Sequence, residues 1–179
     1  MFNKVLSFWF ERASPKQWFS KDDSFDQEIK KEFNNTYNQA IKGELDDWKK
    51  QANSCLALVI VLDQFSRNLF RNDKRAYAQD EKSIELTKYA LGKDFDKELE
   101  GPQKAFLIMP LMHSEDLADQ ELCVTLFSLW GEEYSENLKF AKEHRDIIKE
   151  FGRFPHRNKD LGREDTLEEK EFLKNHKGF

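Results

Sequence analysis

Apolar residues recur at helical spacing along most of the chain, and caps and glycines separate the runs. Phe25, Ile29, Phe33, Tyr37, Ala40 and Ile41 step by three and four, which puts them on one stripe of a helix. Ser24 with Gln27 has the spacing of a capping box at its start, and Gly43 is placed to end it in a left-handed turn. Before it, Phe2, Val5, Leu6, Phe8, Trp9 and Phe10 make a short apolar first helix. Ser14-Pro15 then offers a cap followed by proline at the first helical position. The run Leu56 to Leu62 is rich in β-branched residues, and propensity alone would make it a strand. No second run of this kind exists to pair with it, and a lone strand leaves its backbone groups unsatisfied. Leu58, Leu62, Phe65 and Leu69 continue the helical step, so one helix is expected from about Ser54 to Arg71.

The second half reads in the same way. Ala76 to Leu91 is a helix with Gly92 as its stop, and Gly101-Pro102 opens another that Pro110 should kink or end. Ser114 can cap the next helix, with Glu115 and Asp116 in its first turn, and Gly131 closes it after Leu117, Val124, Phe127 and Trp130. Phe140, His144, Ile147, Ile148 and Phe151 line one face of a further helix that Gly152 stops. Phe154-Pro155 forces an extended turn, and Thr166 with Glu169 caps a last helix ending near Asn175. The expected fold is all-α: one domain over residues 1–179, about eight helices in antiparallel hairpins.

Composition narrows this picture. Seven glycines and four prolines are too few to punctuate a many-stranded sandwich or barrel. A formal charge of -5 argues against sequence-blind nucleic-acid binding. No apolar stretch approaches the roughly 20 residues of a membrane span, and the N-terminus meets charge too soon for a signal peptide. Cys55 and Cys123 lie inside apolar runs and read as small buried hydrophobes in a reducing cytoplasm.

Three segments carry more polar chemistry than a core needs. In Asp63-Gln64-Phe65-Ser66-Arg67-Asn68-Leu69-Phe70-Arg71, Asp63 and Arg67 are one turn apart and can pair, with Gln64, Asn68 and Arg71 beside them. In the second segment, His113, Asp116 and Gln120 share a face if the helix is continuous there. A break at Pro110 would expose backbone groups to a ligand near His113. The third is Phe151-Gly152-Arg153-Phe154-Pro155-His156-Arg157-Asn158, preceded by His144-Arg145-Asp146. Its stiff turn suits either anion recognition by paired guanidinium donors or an internal ion network with Asp63, Glu115, Asp116 or Asp119.

Those strings resemble the signatures of a bacterial family, the domain of unknown function 924. The resemblance extends to Leu6-Ser7-Phe8-Trp9-Phe10, Trp18-Phe19 and Leu161-Gly162-Arg163-Glu164-Asp165-Thr166. It implies an all-α fold of the tetratricopeptide-like superfamily and no particular activity. Arg67, His113, Glu115, Asp116, His144, Arg153, His156, Arg157 and Asn158 fall on its signature positions.

Known chemistries drop out on missing partners. His144-Arg145-Asp146 imitates a kinase catalytic loop, but the chain has no Gly-x-Gly-x-x-Gly and no Asp-Phe-Gly. It has no His-Glu-x-x-His, no Gly-x-Ser-x-Gly and no Glu-x-x-His pair, so neither metal nor cofactor is expected. Two functions fit what is left. In the first, the three segments converge in a helical groove that takes a small anionic metabolite. Arg67, Arg153 and Arg157 would hold the anion, with Gln64, Asn68, His144 and Asn158 as further binding groups. His113 or His156 would move protons there, oriented by Glu115 or Asp116. In the second, the helices are a scaffold for a peptide or protein partner.

Overall fold

The computed structural model describes residues 1–176 and Gly178, and among these it is all-helical with no strand. Two compact units emerge: Met1–Arg71 with Arg75–Pro110, and Asn72–Lys74 with the chain from Leu111 onward.

In the first unit, α1 (Phe2–Ser7) runs into a π-turn over Phe8–Arg12, and α2 (Pro15–Phe19) begins with the expected Ser14 cap, completed by Gln17 as a capping box. α3 (Asp23–Ile41) starts one residue before Ser24. Asp22 caps it by accepting from the amides of Ser24 and Phe25, so the Ser24–Gln27 box is not used. A carboxylate at this position also meets the positive end of the helix dipole. Gly43 takes the expected left-handed conformation, at φ +79°.

The Leu56–Leu62 run is helical, but in three pieces: α4 (Ala52–Val59), a π-turn over Ile60–Gln64 and α5 (Phe65–Leu69). Every residue from Ser54 to Ser66 is buried, which is why the run lacks the polar face of a surface helix. Phe8, Phe33 and Phe65 pack around one another, with ring centroids 4.9 Å apart for Phe8 and Phe33 and 5.0 Å for Phe33 and Phe65. α6 (Asp80–Gly92) begins four residues later than expected. Gly92 is its last residue, and the left-handed position falls instead on Asp94, at φ +59°. Thr87 Oγ1 on α6 donates to Leu107 O on α7 (Gly101–His113) at 2.8 Å. Pro110 sits inside α7, and of the kink or end expected there the end does not occur. A proline forfeits one donor there, yet the helix runs three residues beyond it.

The second unit is built on α8 (Leu117–Trp130) and α9 (Ser135–Phe151), which pack side by side across a turn that Gly131 makes at φ +94°. Cys123 and Phe127 on α8 and Ala141 on α9 are fully buried, whereas Phe140 is 45% exposed and leaves the predicted face. Gly152 ends α9 in the left-handed conformation as expected, and Phe154 is extended. After a 3-10 turn over Pro155–Arg157 come α10 (Asn158–Leu161) and α11 (Leu167–Asn175). α11 carries the expected Thr166–Glu169 capping box. No helix among the described residues is long and apolar enough to cross a membrane.

Candidate functional site

Phe154 organises the second unit's polar chemistry. Its amide donates to Glu115 Oε1 at 2.8 Å, and its carbonyl accepts from Arg163 Nη2 at 3.2 Å. Glu115 and Arg163 are themselves joined by paired bonds of 2.7 and 3.0 Å, so the peptide is gripped on both sides. Burial pushes the Glu115 carboxyl up, but the bonds from Arg163 and the Phe154 amide outweigh it and hold the group below the usual carboxylate range.

Imidazoles and a guanidinium gather around the ring thus fixed. The Arg157 guanidinium lies 4.4 Å from the Phe154 ring centre, in cation–π geometry. The His144 ring meets Phe154 edge-on at 5.7 Å, the His156 ring lies 5.5 Å from Phe154, and the His113 ring lies 6.5 Å from His144. Arg157 also donates to His113 O at 3.0 Å, so a cation closes the C-terminal turn of α7. Gln120 supports the same helix end by donating to Met112 O and Ser114 O, each at 2.7 Å.

His144 stays neutral in this company. Its Nδ1 is 2.8 Å from Phe140 O, which makes Nδ1 the protonated nitrogen. Burial is the main cause that lowers its pKa to about 3, and positive charge on His113 pushes the same way. The bond to Phe140 O opposes this in part, and Arg157 and His156 add to the lowering.

The adjoining residues of the turn have another task. Arg153 holds Glu169 through bonds of 2.7 and 2.8 Å, and Asn158 donates to Asp165 at 2.8 Å and Glu169 at 3.2 Å. Arg153, above all, together with the Thr166 amide and Asn158, holds Glu169 at about 2 against the effect of burial. Among the described residues, no group of three or more His, Cys, Asp or Glu is placed to hold a metal ion.

The sequence pattern described as "Bacterial protein of unknown function (DUF924)" matches residues 5–177. The chain belongs to this family. A solved structure, that of a protein of unknown function from Agrobacterium tumefaciens, is similar over 98% of this chain and 97% of its own. The two share 38% sequence identity, with a TM-score of 0.91. No curated protein matches.

In this DUF924 chain the sequence-predicted residues sort by unit. His113, Glu115, Asp116, His144, Arg153, His156, Arg157 and Asn158 belong to the second, and Gln64, Arg67 and Asn68 to the first. Residues 114–116 lie outside α7 and α8, so His113, Asp116 and Gln120 do not share one continuous helix. Asp116, not Ser114, caps α8 by accepting from the Ala118 amide at 2.8 Å. Ser114 Oγ instead donates to Asp119 at 2.9 Å.

In the first unit, Arg67 pairs with Asp63 at 3.0 Å and grips Asp80 through bonds of 2.9 and 3.0 Å. Gln64 donates to Asp63 at 2.6 Å, while Asn68 and Arg71 both converge on Asp26. An internal ion network was anticipated for the 153–158 turn with Asp63, Glu115, Asp116 or Asp119; of these Glu115 binds it, through the Phe154 amide, and Glu169 and Asp165 bind it as well. Sequence reasoning missed Arg163, Asp165 and Glu169 as partners of the turn. Their signals were present, since Arg163 and Asp165 stand in a family signature string and Glu169 in a capping box.

Proposed function

We propose that the second unit binds a small anionic molecule at the cluster of His113, His144, His156 and Arg157. The supporting observation is that the His144 and His156 rings and the Arg157 guanidinium lie around one clamped phenyl ring, with the His113 ring near that of His144. The Arg157 guanidinium is a fixed positive charge there, and an anion beside it gains attraction and accepts hydrogen bonds from imidazole N–H groups. His113 and His156, both half-buried, are the groups assigned to proton transfer should the bound molecule react. Glu115 and Asp116 are assigned to holding the backbone, Arg153 and Asn158 to holding α11, and Gln64, Arg67 and Asn68 to the first unit's ion network. We place the protein in a reducing compartment, the cytoplasm. Both cysteines are free and buried, and burial pushes the Cys55 thiol up to about 12.

Calorimetric titration with inorganic phosphate at low salt tests the assignment. Saturable binding is expected, weakened about tenfold in His156→Ala, which is the worth of one charge-assisted hydrogen bond. Absence of saturable binding, or equal affinity in the variant, refutes it. Capture of a stoichiometric protein partner that His156→Ala leaves unchanged would favour a scaffold instead.

A further inference from the structure

α8 is apolar on two sides. Its inner side carries Cys123, Val124 and Phe127, all buried. Ala118, Leu122, Leu126 and Leu129 follow one another at steps of four, four and three, which lines them up as a stripe along another side. Leu122 and Leu126 are half-buried, Ala118 is exposed and Leu129 is 76% exposed. A helix apolar on both sides is ordinarily enclosed by its neighbours, so an open leucine stripe on such a helix marks a contact surface.

Charge decides what fits on it. α8 contains no Lys, Arg or His. Asp116 precedes the helix, Glu121 flanks the stripe, and Glu132 and Glu133 follow, all exposed. Arg145 on α9 comes within 3.9 Å of Glu121 but is itself paired with Asp146 at 2.7 Å. A second copy of the chain is a poor cover. Laid antiparallel, it sets Asp116 against Glu132 and Glu133; laid parallel, it sets each acid against itself, and like charges so placed oppose association. We propose that the open face of α8 docks a basic amphipathic helix of a partner protein. Its leucines would bury the partner's apolar stripe, while the acids at both ends and along the flank attract lysines or arginines beside that stripe. The 14 residues of α8 span about 21 Å, so a partner helix of about four turns covers it. The proposal is independent of the anion reading, since it uses none of His113, His144, His156 or Arg157.

The probe is a labelled synthetic peptide of leucine and lysine patterned as an amphipathic helix of about four turns, titrated with the full chain and read by fluorescence anisotropy. Saturable one-to-one binding is expected. Leu129→Gln alters an exposed side chain and should weaken it about tenfold. Glu121→Gln, Glu132→Gln and Glu133→Gln combined should weaken it severalfold and flatten its salt dependence. A peptide of the same composition with its stripe scrambled should bind at least about tenfold more weakly. Absence of binding, or equal affinity in either variant, overturns the proposal. Equal affinity for the scrambled peptide does so too, because charge alone then accounts for the binding. If sedimentation of the chain by itself shows a dimer that Leu129→Gln dissociates, the face belongs to a second copy and the proposal is likewise overturned.

Discussion

Acidification from pH 7 to pH 5 is expected to cost the protein about 2 kcal/mol of stability through His144 alone. In the folded chain burial, with the positive charge of His113, lowers the His144 pKa to about 3, against an ordinary value of 6.5. As pH falls, the unfolded chain takes up the proton first, so each unit of acid below 6.5 favours unfolding. The contribution of His144 is complete above pH 6.5 and declines down to pH 3, by about 4–5 kcal/mol in total. Glu169 adds its own loss at lower pH. Its pKa is held at about 2, so its contribution is present above the usual carboxylate value of 4.5 and disappears as pH falls towards 2. Urea unfolding at pH 7, 6, 5, 4 and 3 separates the two. His144→Gln should flatten the slope between pH 6.5 and 5 and leave the more acidic loss in place. An unchanged slope would mean that His144 is not held neutral by the fold.

Arg67→Ala should destabilise the chain by about 3–5 kcal/mol, because it leaves a buried carboxylate without its guanidinium. The Asp63 side chain is 1% exposed and that of Asp80 14%. Burial alone would lower the Arg67 pKa, but the charges of Asp63 and Asp80 outweigh it and the pKa rises. Such a guanidinium is fixed in its charged state, and truncating it exposes the Asp63 carboxylate to the full cost of burial. The double variant Asp63→Asn, Arg67→Met should recover part of the loss, since an apolar stem beside an amide no longer buries an isolated charge. Denaturant midpoints measure both. A loss below 1 kcal/mol for Arg67→Ala would show that water or another cation already serves Asp63.

How much of this was legible in the sequence follows from the range of the forces. The order of helices could be read because caps, left-handed glycines and stripes act over a few residues. Ser14, Gly43, Gly131, Gly152 and the Thr166–Glu169 box all took their expected places. Starts were misplaced where two acceptable caps compete, as with Asp22 against Ser24 and Asp116 against Ser114. The π-turns at Phe8–Arg12 and Ile60–Gln64 left no mark in the pattern, because one extra residue per turn is settled by packing rather than propensity. Pro110 did not end α7, and the last carbonyls of that helix, which any helix end leaves free, are taken up by Gln120 and Arg157.

The candidate site was legible as residue types and not as partnerships. Asp63 and Arg67 could be paired from their spacing because a helix turn sets it. The partners of Arg153, Asn158 and Phe154 could not, because Glu169 and Glu115 reach them across turns of unknown path. Phe154 stood in the signature string but drew no role, since a buried phenyl reads as core until its neighbours are known.

The imidazole resonances of the folded protein, followed by NMR through a titration with inorganic phosphate, test the anion site most directly. His113 and His156 should shift along one shared isotherm and titrate at higher pH once phosphate is bound, while His144 remains neutral throughout. Resonances that stay still, or that move along unrelated isotherms, would contradict a common anion site around Phe154.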